Sequence, residues 1–468
     1  MRQKSQADLL NEPVQRLIYK QTIPVMLAGL LSTSYMFIDM FFASRLGGVQ
    51  VASIAFVTPI FVMLQALATG LSRGGVSIIA KLIGQDKKDE ACAYATQLRL
   101  IVLYLALFFS VTGIFVTPFL LTLLGIDGEL HAQALIYTQI LFFSVPFSLA
   151  NRLYMALFKS QGKMNITSRI TLLGVVGNTL LNTLALFVFK LGIDGLAYAS
   201  VLTRIIQALV VVTLFHKSHQ DFEIKWSSSS EFSKRKIWIR LFKVGLPLSF
   251  SQASLHFGNL LINMIIVPYG YQVVAAFAIG NRINSLMFFP SKEIGQALVP
   301  LIAQNWGKRA MARVREAIRR GIVFSVVFGV LAAFVLQAIK FPLGRFLTKG
   351  DALTYRHVLN YVGIAGWTVI AWAIFHTLQA IFNSFQRTSF TLISNMVRLW
   401  GIRIPGILLF RYFLPSLEEY GVWYTMFISN SLTLVFAVVY FAIKVPPLLG
   451  NEGKADTIDS LTPLPATE

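Results

Sequence analysis

One carboxylate is conspicuous because an apolar run surrounds it. From Ile23 to Ser44 the sequence is apolar or small, apart from Asp39. About 20 helical residues span a hydrocarbon core of roughly 30 Å, so this run is long enough to cross a bilayer. A carboxylate in lipid costs about 2–3 kcal/mol or more, and we therefore expect Asp39 to face protein or a water-filled cavity and to have a function there. The alternative is an acid at the outer end of a helix, paired with Arg45.

A second acid and two arginines also lie inside apolar segments, namely Glu293, Arg398 and Arg403. Glu293 is predicted either to line a cavity and balance a cationic substrate, or to pair with Lys292 or Arg282. The two arginines could attract an anionic substrate or a lipid headgroup, which weighs against a purely cationic substrate.

The residues that catalysis needs are not grouped in this chain. The single cysteine, Cys92, allows no internal disulfide and offers no metal-site spacing. The sequence contains no cluster of His and Cys, no Walker loop and no nucleophile motif. We therefore predict a protein that is not an enzyme and that has no cofactor, and any use of ATP would need a partner.

The composition is that of an integral membrane protein. Of the 468 residues, 55% are hydrophobic and 13% are charged, whereas soluble domains carry about 25% charged residues. The formal net charge is +20, but the basic residues mostly lie between apolar segments. This is the pattern of cytoplasmic loops that contact anionic lipids, so we expect such lipids, and not nucleic acid, as partners of a monomer.

Twelve apolar segments of spanning length follow one another. They lie at about 23–44, 51–72, 99–124, 133–158, 167–189, 195–215, 244–267, 273–301, 317–341, 357–383, 388–410 and 421–444. An open strand could not satisfy its backbone in lipid, so we predict an all-α integral membrane fold. Loops on one side are rich in Lys and Arg, and this places them and both termini in the cytoplasm, with the protein in the cell membrane.

The two halves of the sequence repeat each other. IYKQTIP from Ile18 resembles LFKVGLP from Leu241, an offset of 223. MALFKSQGK from Met155 resembles QAIFNSFQR from Gln379, an offset of 224. Each unit holds six helices, an even number, so the halves are parallel and related by a pseudo-twofold axis along the membrane normal. That arrangement is typical of transporters, in which access alternates around a site between the repeats.

The repeat gives five predicted regions. They are a cytoplasmic N-terminal segment (1–20), a first lobe (21–216), a cytoplasmic linker (217–240), a second lobe (241–444) and a disordered cytoplasmic tail (445–468).

Four segments carry a resemblance to a known family. They are DMFFASRLGGVQVASIAF (Asp39–Phe56), TPIFVMLQALATGLSRGGVSIIAKLIGQ (Thr58–Gln85), KLGIDGLAYASVLTR (Lys190–Arg204) and EIGQALVPLIAQNWGKR (Glu293–Arg309). In these segments, and in their order, the chain resembles the MATE (multidrug and toxic compound extrusion) transporters over nearly all of 14–444. The resemblance implies two six-helix lobes around a central cavity. It also implies export of amphipathic, often cationic compounds, driven by inward movement of Na⁺ or H⁺.

The resemblance is nearer to the DinF-like branch, whose coupling site lies in the first lobe. Carried over to this sequence, that site comprises Asp39, Asn178, Asn182 and Thr203. The branch has an acid at the second position of the Asn-x-x-x-Asp motif, where this chain has Asn182, and this leaves the ion and the stoichiometry open. The second-lobe site of the NorM-like branch is missing, because 244–267 and 357–383 contain no Asp or Glu.

The candidate site could hold either ion. Asn178 and Asn182 are four residues apart, hence on one face of a helix. With Asp39 they make an oxygen-rich group with one negative charge, which suits Na⁺, a hard cation, and this is the one metal ion we consider. Burial would also raise the pKa of the acid and favour a proton. Alternatively, the asparagines simply join two helices, and Thr203 bonds its own backbone.

The substrate cavity is predicted from aromatic and acidic residues, which are Tyr35, Phe37, Phe147, Tyr154, Phe257 and Glu293. Aromatic faces attract organic cations. The leading hypothesis is therefore a secondary active antiporter that exports small amphipathic or cationic compounds in exchange for H⁺ or Na⁺. The alternatives are a flippase for lipid-linked oligosaccharides and a metabolite exporter, since a fold does not fix a substrate.

Overall fold

The computed structural model describes residues 8–46, 48–123, 128–217, 233–348 and 350–450. For residues 34–37, 39–41, 43–46, 48–60, 62–64, 120, 123, 129 and 130 it describes the backbone only. Within these ranges the chain is helical or in short turns, with no β-strand. The predicted all-α fold is confirmed.

The helices of the first half are α1 (Val14–Leu46), α2 (Gly48–Gly84), α3 (Lys88–Leu123), α4 (Gly128–Phe143), α5 (Val145–Ser160), α6 (Met164–Thr183) and α7 (Gly192–Lys217). Those of the second half are α8 (Lys234–Ile266), α9 (Tyr271–Gly307), α10 (Met311–Leu347), α11 (Ala352–Ala365), α12 (Val369–Ser384), α13 (Ser389–Met396), α14 (Ile404–Phe413), α15 (Tyr420–Lys444) and α16 (Pro446–Gly450). Two π-helical segments, Leu184–Val188 and Val397–Arg403, continue α6 and α13.

The helices account for the predicted membrane spans. Among the described residues, ten helical segments are long and apolar enough to cross a bilayer, and the bent pair α4 and α5 makes eleven. The remaining span, 23–44, lies in α1, which is continuous over 33 residues. Helices α2 and α9 run to Gly84 and Gly307, well beyond their apolar segments. A helix satisfies its own backbone and can therefore extend into water, where hydropathy no longer marks it.

The span at 133–158 is bent by 43° between α4 and α5. Pro146 has no N–H to donate to the carbonyl of Phe142, which lies four residues before it. The hydroxyl of Ser110 on α3 donates to that carbonyl oxygen at 2.9 Å instead. A neighbouring helix thus satisfies the acceptor that the proline leaves free, which is how a membrane helix tolerates such a break.

The chain forms two compact units, and each includes one half of a helix from the other repeat. Among the described residues, one unit comprises 31–253, and the other comprises those up to Leu30 together with those from Ser254 to Gly450. The predicted lobes, 21–216 and 241–444, are defined by whole helices instead. In the structure α1 and α8 are each divided between the two units.

In the unit that contains residues up to Leu30 and those from Ser254, the first half of α1 is part of the core. Leu17 and Ile18 are buried in a hydrophobic cluster with side chains of α9, α10 and α12, among them Leu298 and Phe375. Arg320 on α10 donates from Nη1 to Oε1 of Gln15 at 3.1 Å.

In the unit of residues 31–253, the first half of α8 has the corresponding place. Ile237 and Leu241 are buried in a cluster with side chains of α2 and α3. Trp238 donates from Nε1 to Oε1 of Gln97 at 2.8 Å. Residues 238 and 97 are the equivalents, at the offset of 223, of residues 15 and 320. The same pair of positions is therefore in contact in both halves, as a repeat requires.

An arginine holds the start of the chain on the second half. Arg313 on α10 donates from Nη2 to the backbone oxygens of Leu9 (3.1 Å) and Glu12 (2.7 Å). Its Nε donates to Oδ1 of Asn305 at 2.8 Å, and Asn305 in turn donates to Leu9 at 2.9 Å. A basic residue that the sequence places between two apolar segments thus has a structural role here, at the start of α10.

We expect Arg313→Gln to release this N-terminal segment. A glutamine side chain is shorter and cannot make all three hydrogen bonds, and a single hydrogen bond that involves a charged group contributes about 1.5–3 kcal/mol. Limited trypsin digestion should then cut after Arg16 or Lys20 several times faster. Arg319→Gln, on the exposed side of the same helix, is the matched control and should leave the rate unchanged; equal rates in both variants would contradict the prediction.

Helices α2 and α8 approach so closely that only small residues fit between them. A Cβ added to Gly74 would lie 2.9 Å from the Cα of Gly245, and one added to Gly70 would lie 2.5 Å from the Cα of Ser249. The hydroxyl of Ser249 donates to the backbone oxygen of Leu67 at 2.8 Å. Small residues four apart on each of two helices are a common packing device in membranes, where close backbone contact replaces the hydrophobic effect.

Candidate ion-coupling site

The two predicted asparagines lie on the buried face of α6, opposite α7. Asn178 is 1% exposed and Asn182 is 0% exposed. Asn182 donates from Nδ2 to Oδ1 of Asn178 at 2.7 Å, and Asn178 donates from Nδ2 to Oγ of Ser200 at 3.4 Å. The two helices therefore bring two carboxamide oxygens and one hydroxyl together within the first half of the chain.

The serine is a residue that the sequence reasoning missed. Ser200 lies on α7 three residues before Thr203, hence on nearly the same face of that helix. Thr203 is buried, and its hydroxyl donates to the backbone oxygen of Ala199 at 2.8 Å. The signal was available in the sequence, since Ser200 stands one turn before the threonine that the resemblance selects.

The second half of α1 packs beside these helices. Phe42 is buried and clusters with Leu196 of α7, together with Ile38 and Leu186. Its ring lies 6.2 Å from the ring of Phe187, between centroids. The turn of α1 from 38 to 42 therefore lies against the start of α7 and the π-helical segment that follows α6. The side chains of Asp39, Tyr35 and Phe37 are outside the described residues.

The hydrogen-bond pattern of α6 changes just after the asparagines. The π-helical segment Leu184–Val188 begins two residues beyond Asn182. Such segments are rare, and they are frequent at functional sites, where an extra residue in a helix can be accommodated or expelled. The buried amide pair and the π-helical segment thus occur together.

Comparison with known proteins identifies the family. The MatE family model matches residues 24–184 and, a second time, residues 247–409. The chain belongs to the MATE family. The two matches begin 223 residues apart, in agreement with the repeat predicted from the sequence.

Relatives of this MATE protein are similar over most of their length. The "Probable multidrug resistance protein YoeA" of Bacillus subtilis is 23% identical over 432 residues, which cover 90% of this chain and 92% of the relative. The "FAD transporter" of Shewanella oneidensis is 23% identical, over 86% of this chain and 89% of the relative. A solved structure described as the "Outward-facing conformation of a multidrug resistance MATE family transporter of the MOP superfamily" has the same fold, with a TM-score of 0.89, 22% identity and coverage of 95% and 98%. This chain is therefore a multi-pass membrane transport protein.

The predicted cavity residues of this MATE protein with described side chains are divided between the two units. Tyr154 is buried in the core of the unit of residues 31–253, with its ring 5.2 Å from that of Phe215. Phe147 is partly buried in the same unit. In the other unit, Phe257 is 47% exposed and stacks on Trp400 at 5.9 Å.

Glu293, the remaining cavity candidate, lies on α9 in that second unit. It is partly buried, and a Cβ added to Gly29 of α1 would lie 3.2 Å from its Cγ. Glu293 therefore packs against the backbone of α1 at Gly29, where a larger side chain would press on its Cγ.

Two arginines inside the spans of this MATE protein were not singled out from the sequence. Arg204 on α7 donates from Nη1 to Oγ of Ser144 at 2.6 Å, at the bend between α4 and α5, and its guanidinium carbon lies 4.7 Å from the ring centroid of Phe61. Arg152 on α5 donates from Nε to Oε1 of Gln65 at 3.0 Å. Both are charged residues within apolar segments, which was the signal that selected Asp39.

The described part of the chain contains no group of three or more His, Cys, Asp or Glu residues that could hold a metal ion. The coupling-ion prediction therefore depends on oxygens of amides, hydroxyls and the one carboxylate at position 39.

Proposed function

We propose that this chain is a secondary active exporter that moves amphipathic organic compounds out of the cell in exchange for H⁺ or Na⁺ by alternating access. The observation that carries the proposal is the buried Asn182–Asn178–Ser200 hydrogen-bond network between α6 and α7. The turn of α1 that contains Asp39 packs, through Phe42, on Leu196, which stands four residues before Ser200, and on Leu186, which stands four residues after Asn182. The multidrug proteins among the relatives support the same hypothesis of an exporter of organic compounds.

In this mechanism Asp39 supplies the one negative charge, and Asn178, Asn182 and Thr203 supply neutral oxygens. Binding of one H⁺ or one Na⁺ neutralises the acid and removes the cost of keeping a charge in a site closed to water. The neutral form then favours a different packing of α1 against α6 and α7. A ligand shifts a conformational equilibrium by its differential affinity for the two states, and the neutralised carboxylate provides that difference.

The decisive test is transport by the purified protein in lipid vesicles, with the Na⁺ gradient and the proton gradient imposed separately. We expect ethidium to move against its own gradient when one of them is present. Collapse of that gradient with an ionophore should stop transport within the same trace. Transport that persists without either gradient would overturn the antiport mechanism.

A second candidate function is export of an anionic metabolite. Arg152 and Arg204 lie inside membrane spans and donate to Gln65 and Ser144, and cationic groups in a span attract anions, including the headgroup of a lipid-linked sugar. One relative is named an FAD transporter, and FAD carries phosphates. Uptake of FAD into inside-out vesicles, measured beside that of ethidium, separates this candidate from the first.

We further propose that both termini lie in the cytoplasm of the cell membrane and that the basic ends of the helices contact anionic lipids. Lys87 and Lys88 at the start of α3, and Lys234 and Arg235 at the start of α8, lie on the side that the positive-inside rule assigns to the cytoplasm. The proposed transport unit is a monomer, because each chain contains both repeats.

A further inference from the structure

Arg398 is a buried cation with two donor nitrogens, Nε and Nη1, that make no hydrogen bond to the described residues. It lies in the π-helical segment Val397–Arg403 and is 2% exposed. Its guanidinium carbon lies 4.5 Å from the ring centroid of Trp372 and 5.7 Å from that of Phe375, both on α12. Its Nε and Nη1 atoms are buried and make no hydrogen bond to any described residue. Among the described residues, the groups that lie against its charge are the faces of these two rings.

A second arginine lies on the same side of the segment. In a π-helix the hydrogen bonds join residue i to residue i+5, so Arg398 and Arg403 are about one turn apart. Arg403 donates from Nε to Oγ of Ser429 at 3.0 Å and from Nη2 to Oδ1 of Asn430 at 2.6 Å. Across the described residues of this unit, neither arginine forms an ion pair. Two guanidinium groups are therefore held among neutral groups inside a membrane span.

Such an arrangement is unfavourable unless a ligand completes it. Ring faces attract a cation more weakly than a carboxylate or a phosphate does, and a buried guanidinium with unused donors loses hydrogen bonds that water would have supplied. Arginine has a planar fork of donors that matches a carboxylate or phosphate with two parallel bonds. Charged residues in membrane spans commonly mark substrate pathways.

We propose that Arg398, assisted by Arg403, binds an organic anion, and that the ligand is an aromatic compound bearing a phosphate or carboxylate. The rings of Trp372 and Phe375 hold the guanidinium while the site is empty. When α12 and the π-helical segment separate, Nε and Nη1 bind the anionic group instead. As a substrate site this inference rests on the proposed transport function and gives it a substrate class. As a binding site it does not depend on that function.

The test is equilibrium binding of two flavins to the full-length protein purified in detergent. Flavin mononucleotide and riboflavin share one ring system and differ by a single phosphate. We expect the purified protein to bind flavin mononucleotide at least about tenfold more tightly than riboflavin, which is about 1.4 kcal/mol. Arg398→Gln should remove this preference, and Arg398→Lys should retain part of it, because the charge remains while the fork is lost.

Two controls keep the result interpretable. Arg411→Gln removes one positive charge at the exposed end of α14 in the same span, and it should keep the full preference. If Arg398→Gln is poorly folded, the flavin preference of Arg398→Lys is compared with that of the unmodified protein. The change in Trp372 fluorescence on flavin binding gives a second measure, and the Trp372→Phe variant identifies which part of the signal comes from Trp372. Equal affinity for the two flavins, no saturable binding of flavin mononucleotide, or an intact preference in Arg398→Gln would each overturn the proposal. If Arg398→Gln loses the binding of flavin mononucleotide but keeps normal gradient-driven ethidium export, the result supports the anion site and does not affect the coupling mechanism.

Discussion

The Asp39→Asn variant should export no ethidium above background while reaching the membrane in its normal amount. Asparagine has nearly the same shape as aspartate, but it can neither be protonated nor supply the negative charge that holds Na⁺. The two asparagines of α6 are neutral, so no other group of the proposed site replaces that charge. Without that charge, the site cannot bind the H⁺ or Na⁺ whose gradient drives export. Efflux from energised cells, normalised to the protein in the membrane, measures the effect.

A charge-matched control is available in an exposed turn. Asp86→Asn removes one acid at a position with a φ of 58°, which asparagine adopts readily, and we expect unchanged export. Full activity in Asp39→Asn would remove this acid from the mechanism. A reduced amount of Asp39→Asn in the membrane would instead favour the structural alternative, in which Asp39 pairs with Arg45 at a helix end.

The second large effect should come from a single methyl group. In Gly70→Ala the new Cβ would lie 2.5 Å from the Cα of Ser249, in the backbone of α8. A flexible side chain could move aside, but a helix backbone can do so only if α2 and α8 separate and the hydrogen bond from Ser249 to Leu67 breaks. Overpacking usually costs about 1–3 kcal/mol, and a contact with backbone belongs at or above the upper end. The thermal midpoint of the purified protein should fall by several degrees.

The matched control is a glycine in another span. A Cβ added to Gly177 on α6 has no atom within 4 Å. Because alanine favours a helix by about 0.5–1 kcal/mol over glycine, Gly177→Ala should leave the thermal midpoint unchanged or raise it. If Gly70→Ala were as stable as Gly177→Ala, the close approach of α2 and α8 would be wrong.

The sequence predicts the spans and the repeat well because lipid imposes both. The thickness of the bilayer fixes the length of the apolar runs, and each of the twelve predicted segments lies on a helix or, at 133–158, on the bent pair α4 and α5, although several helices extend well beyond the segment. The equivalence of Ile18 and Leu241 also holds in the structure, where both are buried at the same place in their units. The order of the elements therefore follows from hydropathy and self-similarity alone.

The contacts between helices cannot be predicted from hydropathy in the same way, because an apolar helix face packs equally well against lipid and against protein. Nothing in the hydropathy of α1 distinguishes its first half, which packs on α10, from its second half, which packs on α7. The small residues Gly70 and Gly74 do carry that information, through their spacing of four.

The candidate site shows the same limit. The asparagines of α6 were selected by resemblance. Ser200 stands one turn before Thr203 in the sequence, but its contact with Asn178 depends on the register between α6 and α7, which the sequence does not give. Arg398 is visible in the sequence as a charge in an apolar segment, but only the folded chain shows that no described acidic residue pairs with it. The sequence gives the identity of a residue, but it does not show which residues contact it in the folded chain.

The division of α1 and α8 between the compact units has a consequence for biosynthesis. Leu17 and Ile18 are translated long before the surfaces that bury them, which lie more than 250 residues later, in α9, α10 and α12. Likewise, the part of the chain that starts at residue 31 is incomplete until residue 253 has been inserted. In the newly made protein, the apolar faces of the first half of α1 must therefore stay in contact with lipid until the helices that bury them have been translated. A gene cut in the linker would yield two fragments, each lacking a piece of its own core.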